Sequence, residues 1–417
     1  MRHAKGTITT LILLAWTGPA LAEAKPFFFK SGDRIVFLGD SITEQYQYST
    51  IIEVYLTTRF PHWDLTFLNA GIGGDTATGG AGRFAAHVLA EKPTAVTIDF
   101  GMNDGGYGAF DKARHAAYVK NTEAMLKAAK EASVRAALMS PNAVDPYARS
   151  FFDQERMRTY YETQKRFYAQ LKGLAEKHQL PFVDQYAVTR AVLEKIRADG
   201  KTDLKPFPDG VHTNLAGGLL MAHTILVGLH APADVSRVEI DAGTSKCATS
   251  GCKVAKLEVG ATGVSFDRTD EALPLPIQKD WLNLLPYVHQ LRDLNHYGLQ
   301  VHRLDAGKYT LRIDGTEVGT FSAEELDKGV NLGNLTTGPI HAHGQRVFDA
   351  INAKNNIVHQ RFRGVVMFNA PDWLADVAAE RKPKELAKRM EEINKRQAEI
   401  YQMVRPTAHH FELKAAK

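Results

Sequence analysis

Short apolar runs alternate with helical patterns over the first half of the chain. The strand-like runs are Arg34–Leu38, Leu65–Asn69, Ala95–Phe100, Ala136–Met139 and Pro181–Val183. The helix-like runs are Tyr48–Thr58, Gly80–Ala90, His115–Ala132, Phe151–His178, Ala187–Ala198 and, last, about Leu215–Leu229. This alternation predicts a parallel sheet with helices on both faces, in a domain spanning residues 33–230. Right-handed crossovers place the loops that follow the strands along one edge of that sheet.

The pattern changes after Ala231-Pro232-Ala233, where strand-like runs follow one another without helices between them. Asp314-Gly315 joins two of these runs and favours the type I′ turn of a β-hairpin. We therefore expect a β-rich accessory segment at 235–380. Its predicted strands are Val235–Ile240, Ala255–Val259, Gly263–Phe266, Lys308–Ile313 and Thr316–Phe321.

Two helices are predicted within or after this β-rich segment. Ser322, followed by Glu325, indicates a capping box at the start of a short helix. Apolar residues at helical spacing make Lys384–Val404 a long amphipathic helix, which packing on the chain's own core explains best. Residues 381–417 are therefore predicted to be a C-terminal helix and tail.

The first 22 residues have the pattern of a secretory signal peptide. Arg2 and Lys5 give a charged start, Thr10–Trp16 is apolar, and Ala20-Leu21-Ala22 supplies a small-residue cleavage site. The apolar stretch is shorter than the ~20 residues that cross a bilayer, which disfavours the alternative of an uncleaved anchor. We expect a periplasmic or secreted protein with no membrane span after cleavage.

Composition narrows the classes of partner. The length of 417 residues favours two domains, and a formal net charge of +4 without a long basic run gives no indication of nucleic-acid binding. Cys247 and Cys252 are the two cysteines, and a disulfide across a short turn is possible if the backbone folds back between them. The alternative is a pair of metal thiolates, but two cysteines with no nearby histidine make a poor zinc site. Nothing in the pattern sets an oligomeric state.

Candidate chemistry begins at Leu38-Gly39-Asp40-Ser41, where the first strand ends. A serine at the carboxyl end of a parallel strand lies where α/β sheets bind ligands, and it is a nucleophile if a base is close. The alternative is an ordinary helix N-cap.

Three later segments fall at the same edge of the predicted sheet. Glycines in Asn69–Thr76 allow close backbone approach to a ligand, but they lack the spacing of a dinucleotide fingerprint, so no nucleotide cofactor is predicted. Asn103 offers an amide N–H to a developing oxyanion, or bonds its own loop. Asp209, three residues before His212, can orient the imidazole, or the pair is a helix-entry turn.

Together these segments resemble the SGNH/GDSL hydrolases. The four blocks of that family appear in order as Gly39-Asp40-Ser41, Asn69 through Thr76, Gly101-Met102-Asn103-Asp104 and Asp209-Gly210-Val211-His212. The resemblance covers about Asp33 to Leu229 and implies a three-layer, flavodoxin-like α/β/α fold. The absence of the second glycine of a Gly-x-Ser-x-Gly elbow argues against the larger α/β-hydrolase fold.

The resemblance implies a role for each matched residue. Ser41 is the nucleophile, His212 the general base, and Asp209 the group that orients His212. The backbone N–H groups of Ser41 and Gly74 and the side chain of Asn103 form the oxyanion hole. Gly73 is the competing glycine for that role, and Asp40 is expected to brace the serine turn.

The implied activity is hydrolysis of carboxylic esters through an acyl-enzyme, with no metal or organic cofactor. Export and the β-rich segment favour removal of O-acetyl groups from carbohydrate, so an acetylated glycan is the expected substrate. The alternatives are a broad carboxylesterase or lysophospholipase and, in another class, a non-catalytic glycan-binding protein. His341 and His343 are expected to be structural and not metal ligands.

Overall fold

The computed structural model describes residues 25–260 and 262–416. The predicted signal peptide, residues 1–22, lies outside the described residues. Within them, no helix combines the length and apolar character needed to cross a membrane.

The first five strands form one parallel sheet in the order β2-β1-β3-β4-β5. The central strands are buried along almost their whole length, because helices cover both faces of the sheet. This confirms the predicted α/β class and its flavodoxin-like strand order. The strands are β1 (Arg34–Gly39), β2 (Thr66–Gly71), β3 (Ala95–Asp99), β4 (Arg135–Met139) and β5 (Phe182–Val183).

In the described part of residues 33–230, eight α-helices accompany this sheet, and α2 packs on α8 while α3 packs on α4. The helix predicted over Phe151–His178 is interrupted by a turn at Ala169 and Gln170 and forms two helices instead of one. The helices are α1 (Ser41–Glu44), α2 (Gln47–Arg59), α3 (Ala77–His87), α4 (Lys112–Glu131), α5 (Gln154–Tyr168), α6 (Leu171–Lys177), α7 (Gln185–Ala198) and α8 (Leu215–Gly228).

The C-terminal half adds two sheets that share a second apolar core. One has the order β13-β10-β6-β7, and the other is antiparallel with the order β12-β11-β14-β9-β8. These strands are β6 (Asp234–Asp241), β7 (Lys246–Ser250), β8 (Cys252–Gly260), β9 (Gly263–Asp270), β10 (His296–His302), β11 (Lys308–Ile313), β12 (Thr316–Ser322), β13 (Val330–Asn331) and β14 (Ala408–Ala415).

Two local predictions for this half are confirmed. Asp314 and Gly315 both have positive φ, 49° and 77°, as a type I′ turn requires. Ser322 and Glu325 form the capping box of α9 (Ala323–Lys328). The thiols of exposed Cys247 and buried Cys252 are both free, so the two cysteines do not form the disulfide that was one of the alternatives.

The last two helices return to the first domain. The helices α10 (Pro339–Arg361) and α11 (Ala375–Met403) pack mainly on the core of the first domain, and Ile340 at the start of α10 joins the β-rich core. The residues after α11 are not a tail, because β14 lies between β11 and β9 and completes their sheet. The facing edges of β9 and β11 carry backbone N–H and C=O groups that need partners, and β14 supplies them. The local sequence does not reveal this pairing.

Candidate active site

Ser41 is the first residue of α1 and is separated from β1 by Asp40 alone. The Asp40 carboxylate caps this helix by accepting the Ile42 N–H at 3.0 Å. Gly39 has to be glycine, since a Cβ there would lie 2.2 Å from the Thr43 hydroxyl oxygen. The tight strand-to-helix turn leaves Ser41 half-buried at the carboxyl edge of the sheet. Its N–H lies at the helix start, where backbone donors lack helical partners, and it donates to no acceptor among the described residues.

His212 reaches Ser41 from the loop that precedes α8. Its Nε2 atom lies 2.8 Å from Ser41 Oγ, and its Nδ1 atom lies 2.7 Å from Asp209 Oδ2. The other carboxylate oxygen, Oδ1, accepts the N–H groups of Val211 and His212 at 2.9 and 2.7 Å. One aspartate thus fixes both the turn and the imidazole, and serine, histidine and carboxylate form a continuous chain.

The environment of Asp209 favours its ionised form. Partial burial opposes ionisation, but the hydrogen bonds from the His212 ring and from the two backbone N–H groups outweigh it and lower the pKa of Asp209. An ionised carboxylate directs the Nδ1 proton of His212 toward itself and leaves Nε2 free to accept the Ser41 proton.

Asn103 lies beside the hydrogen-bonded series of Ser41, His212 and Asp209, and the orientation of its amide is fixed. The Tyr107 hydroxyl donates to Asn103 Oδ1 at 2.9 Å, so Nδ2 points the other way. Nδ2 donates to the Asp75 carbonyl at 2.9 Å and to Asp40 Oδ2 at 3.2 Å. An oxyanion beside Ser41 can therefore bind this amide by replacing one of these two acceptors.

Gly73 and Gly74, in the loop after β2, are the two candidates for the glycine donor of the oxyanion hole, and their N–H groups differ in hydrogen bonding. The Gly73 N–H donates to Glu44 Oε2 at 2.6 Å and is already engaged. Gly74 is exposed, has a φ of +74° that favours glycine, and donates to no acceptor among the described residues. This difference favours Gly74 over Gly73 for the oxyanion hole.

Three carboxyl groups are buried beneath the site. Burial raises the pKa of Asp99 and that of Asp104 to about 7 each, and burial together with the nearby Asp99 raises the pKa of Asp40 well above its ordinary range. Each accepts at least one hydrogen bond: Asp99 from Gln185, Asp104 from the Ala77 N–H and Asp40 from the Ile42 N–H. Asp40 thus braces the Ser41 turn through its bond to the Ile42 N–H.

Several residues that contact the site were not singled out from the sequence. Tyr107 lies in the loop after β3 and Glu44 is the last residue of α1, and neither local pattern gives a signal for these contacts. His359 and Arg363, which approach Glu44, lie more than 300 residues from it in the chain. Only the folding of α10 over the first domain brings them there.

One group of side chains in the described part of the chain has the spacing of metal ligands. His223, His289 and Asp293 place one ligand atom each within 4.8 Å of one another. The Asp293 carboxylate already pairs with both rings, at 2.8 and 3.1 Å, so hydrogen bonding accounts for the cluster. His341 and His343 bond two different backbone carbonyls and do not converge.

The family assignment rests on the span that holds these residues. Residues 37–218 match the family model of the GDSL-like lipase/acylhydrolase family. Ser41, Asn103, Asp209 and His212 all fall inside it. The chain carries an SGNH/GDSL hydrolase domain. As an SGNH/GDSL hydrolase it is a carboxylic ester hydrolase.

Relatives of this SGNH/GDSL hydrolase differ in how much of the chain they share. An acetylxylan esterase of Geobacillus stearothermophilus is 27% identical over 218 residues, which are 47% of this chain and 93% of that protein. A crystal structure of the Geobacillus stearothermophilus acetylxylan esterase covers 48% of this chain and 95% of its own, at 24% identity and a TM-score of 0.40. The structure of a gut microbial diltiazem-metabolizing enzyme covers 93% of this chain and 98% of its own, at 26% identity and a TM-score of 0.80. That likeness extends through the C-terminal sheets and helices.

Proposed function

We propose that this SGNH/GDSL hydrolase removes O-acetyl groups from carbohydrate outside the cytoplasm, with Ser41 as nucleophile. The observation that carries the proposal is the chain from Ser41 Oγ through the His212 ring to Asp209, with links of 2.8 and 2.7 Å. An activated serine of this kind attacks an ester carbonyl and forms an acyl-enzyme.

The reaction divides into two half-reactions. In the first, His212 Nε2 takes the Ser41 proton as Oγ attacks the acetyl carbonyl carbon, and then protonates the departing sugar oxygen. In the second, His212 takes a proton from water, which attacks the acetyl-serine and releases acetate and free Ser41. Asp209 stays ionised throughout and stabilises the imidazolium form of His212.

The negative charge on the carbonyl oxygen develops between the serine turn and the glycine loop. The N–H groups of Ser41 and Gly74 are donors whose backbone positions are fixed before substrate arrives. The Asn103 amide is the third donor and exchanges its bond to Asp40 or Asp75 for one to the oxyanion. Preorganised donors of this kind stabilise the transition state more than the ground state.

The choice of an acetylated carbohydrate is supported by the acetylxylan esterase that matches the hydrolase domain. A broad carboxylesterase is the second candidate, because one structure that covers 93% of the chain is that of a diltiazem-metabolizing enzyme. The two candidates differ in the alcohol they accept and in the acyl length they tolerate.

A substrate panel tests the proposal. Acetylated xylooligosaccharides, p-nitrophenyl acetate, p-nitrophenyl octanoate and a lysophospholipid are assayed with the wild type and with Ser41→Ala as control. We expect acetate release from the oligosaccharides that depends on Ser41, and little activity on the octanoate. A preference for octanoate or lysophospholipid would favour the second candidate. Glycan binding without turnover of any ester would favour a non-catalytic protein.

Export is a separate part of the proposal. Its support is the charged and apolar pattern of residues 1–22. Expression of the full chain in a Gram-negative host, followed by fractionation and N-terminal sequencing, is expected to yield a periplasmic or secreted protein that begins at Glu23. A full-length protein retained in the cytoplasm would contradict export without affecting the esterase proposal.

A further inference from the structure

The Glu44 carboxylate joins three segments beside the nucleophile. Glu44 lies at the end of α1, three residues after Ser41, and its Oε2 atom accepts the Gly73 N–H at 2.6 Å. Its Oε1 atom lies 3.1 Å from Nε of Arg363 and 3.4 Å from Nε2 of His359. The serine helix, the glycine loop and the C-terminal region therefore meet at one side chain.

Gly73 lies close enough to Ser41 for its position to affect the reaction. A Cβ built on Gly73 would be 4.0 Å from Ser41 Cβ. Gly73 also directly precedes Gly74, the proposed oxyanion donor, so the peptide that Glu44 holds is joined to the one that supplies the N–H. Rotation of the Gly73 backbone would turn the Gly74 N–H away from the oxyanion.

The two basic residues belong to the end of α10 and the turn that follows it. His359 is on α10, and Arg363 lies in the π-helical turn Phe362–Val366. Single π-helical turns often occur at functional sites. Both side chains are about two-fifths exposed, so neither contributes mainly to core packing. Both also lie outside the residues matched by the family model.

We infer that Arg363 is a positioning residue of this esterase: by pairing with Glu44, it holds the Gly73–Gly74 loop in the orientation that stabilises the oxyanion. The inference rests on the proposed function of the same site. Without the guanidinium, the Glu44 carboxylate is better solvated when it turns toward water, and the Gly73 N–H loses its acceptor. Loss of preorganisation lowers the rate of the chemical step more than substrate binding.

A kinetic cycle tests the route through Glu44. The variants are Arg363→Ala, Arg363→Lys, Glu44→Gln and the double variant Glu44→Gln/Arg363→Ala, assayed on p-nitrophenyl acetate. We expect Arg363→Ala to lower kcat roughly tenfold with little change in KM, less than the loss from removing an oxyanion donor itself. Arg363→Lys should recover part of the loss. The double variant should be no slower than Glu44→Gln alone, because both changes break one interaction.

The matched control is Arg389→Ala on α11, which removes an arginine paired with Glu385 at 2.7 Å and is expected to leave kcat unchanged. Equal kcat for Arg363→Ala and this control would overturn the inference. A rise in KM at constant kcat would overturn it too, since Arg363 would then bind substrate. Multiplicative losses in the double variant would show that Arg363 does not act through Glu44.

Hydrogen exchange provides a readout that does not depend on turnover. We expect the peptide containing Gly73 to exchange faster in Arg363→Ala than in the wild type or in Arg389→Ala. If the wild type shows no Ser41-dependent hydrolysis, the proposed function fails, and faster exchange still supports the positioning contact. If hydrolysis depends on Ser41 but exchange and kcat are unchanged in Arg363→Ala, only this inference fails.

Discussion

Ser41 Oγ lies 2.8 Å from Nε2 of His212, although 171 residues separate the two in the chain. This contact predicts that Ser41→Ala reduces ester hydrolysis to the background rate and abolishes labelling by a fluorophosphonate. Intact-protein mass spectrometry measures the label, and circular dichroism verifies the fold. Retention of most of the activity by Ser41→Ala would exclude this serine as the nucleophile.

Replacement of Asp209 by asparagine is expected to cost roughly 10³–10⁴-fold in kcat. Asparagine preserves the bonds to the backbone N–H groups, but its amide can donate to Nδ1 of His212 and stabilise the wrong tautomer. Asp203→Asn, at an exposed position in the loop between α7 and α8, is the matched control. Steady-state kinetics on p-nitrophenyl acetate measures the difference, and equal rates for the two variants would contradict the role of Asp209.

Removal of the Asn103 side chain is expected to lower kcat on the order of 100-fold, because one oxyanion donor is lost. The KM should change little, since this contact forms mainly in the transition state. Asn121→Ala on α4, which loses an amide bonded to the Thr78 hydroxyl, serves as comparison. A kcat within twofold of the wild type would remove Asn103 from the oxyanion hole.

The buried pair of Glu53 on α2 and Lys354 on α10 links the C-terminal region to the hydrolase domain. Burial raises the pKa of Glu53 and lowers that of Lys354, so each charge depends on the other. We expect Lys354→Met alone to lower the free energy of unfolding by about 3–5 kcal/mol, because a carboxylate is left buried without its partner.

The double variant Glu53→Gln/Lys354→Met is expected to be more stable than Lys354→Met alone. Urea denaturation of the wild type and both variants measures these free energies. A double variant less stable than the single one would indicate that the two side chains contribute independently and not as an ion pair.

The pH dependence of stability is expected to reflect Asp99. Its pKa is raised by burial to about 7 in the folded protein and is near 3.8 when unfolded. The folded state therefore binds the proton more tightly, and this contribution to stability is lost as pH rises from about 4 through about 7. Asp99→Asn should be increasingly stabilised relative to the wild type over that range, by roughly 4 kcal/mol at most.

Denaturation at pH 5 and at pH 8 tests this expectation. Asp199→Asn is the control, because hydrogen bonding to Lys195 lowers the pKa of that exposed carboxylate and keeps it ionised at both pH values. A stability difference between Asp99→Asn and the wild type that is the same at both pH values would show that Asp99 does not bind the extra proton.

The local sequence was sufficient to predict the secondary-structure elements and turns on which the candidate site residues lie. The β1 strand, the serine turn after it and the α8 entry loop each follow from a short pattern, since strand burial, helix capping and turn chemistry act over a few residues. The same holds for the Asp314-Gly315 hairpin and the capping box at Ser322. Helix boundaries were less accurate, and one predicted helix became α5 and α6.

The sequence by itself determined the α/β architecture of the first domain, because that architecture follows from local patterns in chain order. It also predicted Ser41, Asn103, Asp209 and His212 as site residues, through the resemblance of their segments to the SGNH/GDSL hydrolases. Tertiary structure alone decided that β14 completes an internal sheet, that α10 covers the hydrolase domain, and that Arg363 reaches Glu44 beside Ser41. These are contacts between segments far apart in the chain. They depend on which apolar faces pack together and which backbone groups pair by hydrogen bonds in the folded chain. Local propensity does not predict those pairings.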